Sequence, residues 1–126
     1  MKRLWVAFAL LLFITIICVS GLIMLNSRTN EIIAQLEDIS TSVETETHEV
    51  MMQKASHVQE TWNQWRGWYT VYLQHSIVDP VTEIINRIPP LVDENNLIEC
   101  QDECIDAILR LKIILESEQL SLGNIL

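Results

Sequence analysis

Residues 4–25 read LWVAFALLLFITIICVSGLIML, with no charged side chain and only Thr15 and Ser20 polar. An α-helix rises about 1.5 Å per residue, so the run reaches about 33 Å, enough for the hydrocarbon core of a bilayer. Thr15 and Ser20 can bond back to carbonyls of their own helix, so neither forbids insertion. Lys2 and Arg3 precede the run, and Arg28 follows it with Glu31 close behind. The positive-inside rule therefore predicts a cytoplasmic N-terminus and an external remainder, by a narrow margin. The rival reading is a cleaved leader with its site at Val19-Ser20-Gly21. Against it, the apolar run exceeds the usual 7–15 residue leader core and continues through Leu22, Ile23, Met24 and Leu25. Cys18 follows Thr15-Ile16-Ile17 without the small residue of a lipid-attachment site, and reads as an apolar side chain.

Two regions follow from this: 1–25, a short cytoplasmic N-terminus and transmembrane anchor, and 26–126, an acidic extracytoplasmic helical domain. The chain of 126 residues has a formal net charge of -9. Residues 26–126 alone carry 6 basic and 17 acidic side chains. Such a balance is expected to repel nucleic acid and anionic headgroups. With 3 Gly and 3 Pro, the chain is poor in turn residues, which argues against a β-sandwich or a Gly-loop enzyme.

Beyond the anchor the apolar residues recur at helical spacing. Ile32, Ile33, Leu36, Ile39 and Val43 share one face and extend the anchor helix with little break. SVETETHEV, from Ser42 to Val50, reads as a connection in which Thr45 or Thr47 caps the next helix. Met51, Ala55, Val58, Trp62, Trp65, Tyr69 and Tyr72 then step alternately by 4 and 3, a packing stripe widened by Trp68 and Leu73. Gly67 is expected to let another helix approach closely, with a kink as the alternative. Asp79 and Pro80 predict an N-cap and first helical position for a third helix bearing Val81, Ile84, Ile85 and Ile88. Pro89-Pro90 predicts that this helix ends near Asn86; a kink is the other reading. Asp93 to Asn96 is a polar turn. A fourth helix follows on Leu97, Cys100, Cys104, Ile108, Leu111 and Leu115, with Ile98, Ile105 and Leu109 broadening its apolar face. Gly123-Asn124 is expected to stop it, and the Leu-rich tail to dock on the bundle. The fold class is all-α: one N-terminal transmembrane helix and a small antiparallel bundle of three to four helices.

Chemistry is sparse. Cys100 and Cys104 lie four apart on one helix, too far for an undistorted disulfide, and read first as buried free thiols. A metal pair is the sharper alternative, with His48, His57 and His75 the only further nitrogen ligands. His75 is placed near the aromatic face, and Glu99, Asp102, Glu103 and Asp106 on a solvated one. GxSxG, Walker, HExxH and GxGxxG motifs are absent. No catalytic or cofactor-binding residue is assigned, and no cofactor is expected.

The layout resembles the DUF4363 family, small membrane-anchored helical proteins of Gram-positive, mostly clostridial bacteria, without assigned function. The features that carry it are Lys2-Arg3 with the anchor, Asn30-Glu31, Trp62 and Trp65 with His75, Leu109, Leu111 and Ile114, Glu116, and the tail LSLGNIL at 120–126. The tail is the most specific of them. Family members often carry a charged residue where Gly123 stands, and Pro89-Pro90 interrupts what is usually a continuous helix. The resemblance brings no catalytic residue. It implies an accessory role, working with a multi-pass membrane protein in spore-forming cells.

The expected function is a non-enzymatic, single-pass protein of the bacterial cell membrane. Its helical domain binds or scaffolds an envelope or membrane partner. Residues 4–25 contact lipid, and Trp68, Leu120, Leu122, Ile125 and Leu126 are the expected partner contacts. A homo-oligomer stays open. The alternative is a ligand- or metal-sensing domain using the aromatic stripe or the Cys and His residues.

Overall fold

The structure is a computed structural model and describes residues 1–125, apart from the side chains of residue 72 and of residues 118–125. It has four helices and, among the described residues, no strand: α1 (Lys2–Ser42), α2 (His48–Tyr72), α3 (His75–Asp93) and α4 (Leu97–Ile125). α1 packs on α2 and α4, and α3 packs on the same two, while the diagonal pairs do not approach one another at the backbone. This is a square, up-and-down four-helix arrangement with short connections. α1 is continuous, as expected, and about 60 Å long from its 41 residues. Residues 1–20 are exposed on every side, whereas Gly21 and Leu25 are already buried. The bundle therefore begins inside the apolar run. What projects is an apolar rod long and hydrophobic enough to cross a bilayer.

The core comes from the predicted stripes. Ile32, Ile33, Leu36, Ile39 and Val43 of α1 face Met51, Ala55, Val58, Trp62 and Tyr69 of α2, Ile84, Ile85, Ile88 and Val92 of α3, and Cys104, Ala107 and Leu111 of α4. Between α1 and α2, Thr47 is the residue that caps, accepting from the Val50 N–H at 3.4 Å. Leu73 and Gln74, both extended, reverse the chain into α3.

Three expectations about α3 and its neighbours are corrected. α3 begins at His75, so Asp79 and Pro80 lie within it rather than at its cap. It also does not end near Asn86: it passes through Pro89 and Pro90 to Asp93. The two prolines remove bonds to Ile85 and Asn86 and cost a few kcal/mol. Burial of Ile84, Ile85, Ile88 and Val92, at about 1.5–3 kcal/mol each, outweighs that. The true stop is a Schellman closure. Asn95 takes φ 60°, its N–H reaches the Val92 carbonyl, and the Asn96 N–H reaches the Leu91 carbonyl at 2.9 Å. Asparagine tolerates this left-handed conformation better than most residues. The third correction concerns α4, whose backbone continues through Gly123-Asn124 to Ile125.

Gly67 is not a close-approach site. A Cβ placed there meets nothing within 4 Å, and the residue is exposed inside α2. Gly67→Ala is therefore expected to raise stability by about 0.5–1 kcal/mol through helix propensity alone. A higher urea midpoint for the full chain in mild detergent checks this.

Candidate functional site

Two matched relays that start on α2 cross the interior. The Trp62 Nε1–H donates to Thr82 Oγ1 at 2.9 Å, and Thr82 donates to the Val78 carbonyl at 3.0 Å. Seven residues on, Tyr69 OH lies 2.5 Å from Thr29 Oγ1, and Thr29 donates to the Leu25 carbonyl at 2.7 Å. A threonine hydroxyl has one proton, so Tyr69 must be the donor in that pair. One relay ties α2 to α3 and the other ties it to α1. The two aromatic rings pack at 4.8 Å between centroids with a tilt of 34°. All four side chains are buried, and each threonine bonds back to its own helix, so these groups have a structural job.

The cysteines are a buried, free pair on the inner face of α4. A hydrogen bond with Cys100 raises the Cys104 pKa well above the usual thiol range, and burial pushes it the same way. The sign follows. Unfolded Cys104 loses its proton near pH 8.5 while the folded thiol keeps it, so the unfolded state binds fewer protons above that pH. Its stabilising contribution is complete below about pH 8.5 and declines as pH rises further. The expected result is a urea midpoint that falls from pH 8 to pH 10, with a smaller fall in Cys104→Ala.

The histidines do not join the cysteines. His48 opens α2 and comes within 4.0 Å of Asp93, His75 opens α3 and comes within 4.0 Å of Asp79, and His57 is exposed on α2. His75 is thus not on the aromatic face: with the helix starting there, its side chain points to solvent and is 78% exposed. No group of three His, Cys, Asp or Glu side chains suited to a metal occurs among the described residues. Of the acidic run, Glu103 departs from the solvated face. It is mostly covered and meets Arg87 of α3 at 3.5 Å.

Two surfaces stand out. Ile98, Ile105 and Leu109, expected to widen the packed face, lie on the opposite side of α4 and are exposed. The reason is geometric. α4 touches only α1 and α3, so residues turned about 100–160° from Cys104 and Leu111 have nothing to cover them. Glu99, Asp102 and Asp106 are the acidic side chains beside this stripe. The second surface is at the anchor end. There Trp68 is 39% exposed, as its displacement from Trp62 and Trp65 predicts. Arg28 lies over the Trp65 ring at 4.5 Å, and a groove of about 230 Å³ opens between Leu73, Ile77, Arg110 and Ile113. The Leu120, Leu122 and Ile125 side chains and Leu126 lie outside the described residues, as does the Tyr72 side chain. The outer stripe of α4 was missed because its residues also fit a helical period. Only the neighbours of α4 decide which face is packed.

Residues 20–125 match the profile of a domain of unknown function, DUF4363. No curated protein and no solved structure matches the chain.

Proposed function

The chain belongs to the DUF4363 family, and from that premise we propose a non-catalytic, single-pass protein of the bacterial cell membrane whose bundle binds an envelope or membrane protein. Its N-terminus stays in the cytoplasm and the bundle stands outside; Lys2 and Arg3 before the anchor, against the single Arg28 close after it, support this orientation. A non-catalytic role is favoured by the placement of the reactive groups. The two bundle cysteines are sealed in the core, and the three histidines sit apart on the surface. The observation that carries the binding role is the outer stripe of α4, where Ile98, Ile105 and Leu109 are 79%, 45% and 56% exposed. Aligned apolar side chains of this kind, beside Glu99, Asp102 and Asp106, suit a partner helix with an apolar face and basic flanks.

A photoreactive residue at Ile105, in native membranes, is expected to capture one discrete partner. The same residue at exposed Ser56 on α2 serves as the control. Capture of a second copy would identify self-association as the use of this face. Equal, diffuse capture from both positions would end the reading.

A further inference from the structure

Cross-helix contacts set the height of each residue along the bundle. Near the anchor, Thr29 meets Tyr69, Arg28 meets Trp65, and the turn at Leu73 borders Ile113. Far from it, Asp38 meets Lys54, Gln59 meets Asn86, Arg87 meets Glu103, and Gln101 meets the Ser40 carbonyl. A cut midway puts residues 26–33, 64–81 and 108–117 on the anchor side, and 34–63 and 82–107 on the far side.

Charge and apolar exposure then separate in opposite senses. The far half has 13 acidic residues and 2 basic ones, Lys54 and Arg87. The near half has 3 acidic residues up to residue 117, with Glu118 just beyond on α4 as the fourth, and 4 basic ones: Arg28, Arg66, Arg110 and Lys112. Arg66 and Lys112 are exposed, with no ion pair to any described residue. Exposed apolar residues ring the near end from three helices: Trp68 and Val71 on α2, Ile77 on α3, and Leu109 and Ile113 on α4. Val71 is 74% exposed and Ile113 65%. On the far half the large exposed apolar residues among those described are Ile98 and Ile105.

We propose that the anchor-side end of the bundle is seated in the lipid headgroup layer of the membrane that α1 crosses, leaving only the acidic far half in water. The bilayer is the occupant because α1 runs unbroken from the apolar rod into this end and so fixes it at the membrane surface. The residue types fit that layer. Tryptophan favours the interface, and arginine and lysine lay apolar stems along it while their heads reach phosphate oxygens. The overall negative charge does not prevent this seating. Residue 34 stands about 12 Å above residue 26, and the Debye length at physiological salt is about 8 Å, so most of the acidic charge is screened from the surface. The proposal rests on α1 as the anchor and is independent of what α4 binds.

The test uses the full chain in phosphatidylcholine vesicles with Cys18→Ser, because Cys100 and Cys104 are buried and escape labelling. An environment-sensitive fluorophore is attached in turn at Val71→Cys, Ile77→Cys, Ile98→Cys and Phe13→Cys. Quenching by a headgroup spin label on the lipid is expected to be several-fold stronger at 71 and 77 than at 98. Aqueous iodide should show the reverse order. A mid-chain spin label should quench at 13. If 71 and 77 behave like 98 while 13 stays deep, the anchor holds and the seating is refuted. Shielding of 71 and 77 from both quenchers means protein covers them, which also refutes it. If 13 itself escapes the mid-chain label, the anchor reading falls and the seating with it.

Discussion

Trp62→Ala is expected to cost about 3–5 kcal/mol, the range for removing a buried aromatic side chain. Trp62 is wholly buried, its ring packs on Tyr69, and its N–H reaches across to Thr82 on α3. Alanine removes all three contributions and leaves a cavity between α2 and its neighbours. Total stability in a domain of this size is about 5–15 kcal/mol, so the variant loses a large share of it. Trp68→Ala removes the same side chain from the same helix, but Trp68 is 39% exposed, and the expected cost is about 1 kcal/mol or less. Urea unfolding of the full chain in mild detergent, followed by far-UV circular dichroism, compares them directly. Similar losses for the two would contradict the packing described above. Trp62→Phe should fall between them. Thr82 still donates to the Val78 carbonyl when the indole is gone, so no buried hydroxyl proton is stranded.

Helix type and count could be read from the residues because the apolar spacing from Met51 to Tyr69 and from Ile32 to Val43 admits only one period. What could not be read was decided by neighbours. Pro89 and Pro90 are strong local signals, but Ile88 and Val92 on either side of them are buried by α2 and α4, and that burial carries the helix past its breakers. Ile98, Ile105 and Leu109 obey the helical period as well as Cys100 and Cys104 do. Which set is packed depends on where α1 and α3 stand, and no single helix encodes that. Gly67 was open to the same ambiguity, since a glycine beside a helix and a glycine beside solvent read alike in sequence. The opposed gradients of charge and apolar exposure were hidden for another reason. The acidic excess looks uniform along the chain and becomes polar along the bundle only when the antiparallel register brings residues 34–63 beside 82–107.

The relay from Tyr69 through Thr29 to the Leu25 carbonyl yields the second large effect. Thr29→Val keeps the side-chain shape and removes the acceptor of the Tyr69 hydroxyl, for an expected cost of about 1–3 kcal/mol. Tyr69→Phe removes the donor instead, and the Thr29 hydroxyl keeps its bond to the Leu25 carbonyl, so about 1 kcal/mol is expected. The double variant should cost less than the two singles together, by about 0.5–1.5 kcal/mol, because removing both partners strands neither against the other. This coupling bears on the anchor as well as on stability. Thr29 stands only four residues above Leu25, where α1 enters the bundle, so the bond fixes α2 to the helix that carries the apolar rod. Thr82→Val with Trp62→Phe, the matching pair on α3, should couple by a similar amount without touching α1. If Thr29→Val and Tyr69→Phe are strictly additive while the Thr82 pair is not, the hydroxyl contact on α1 contributes nothing, and packing alone joins α1 to α2.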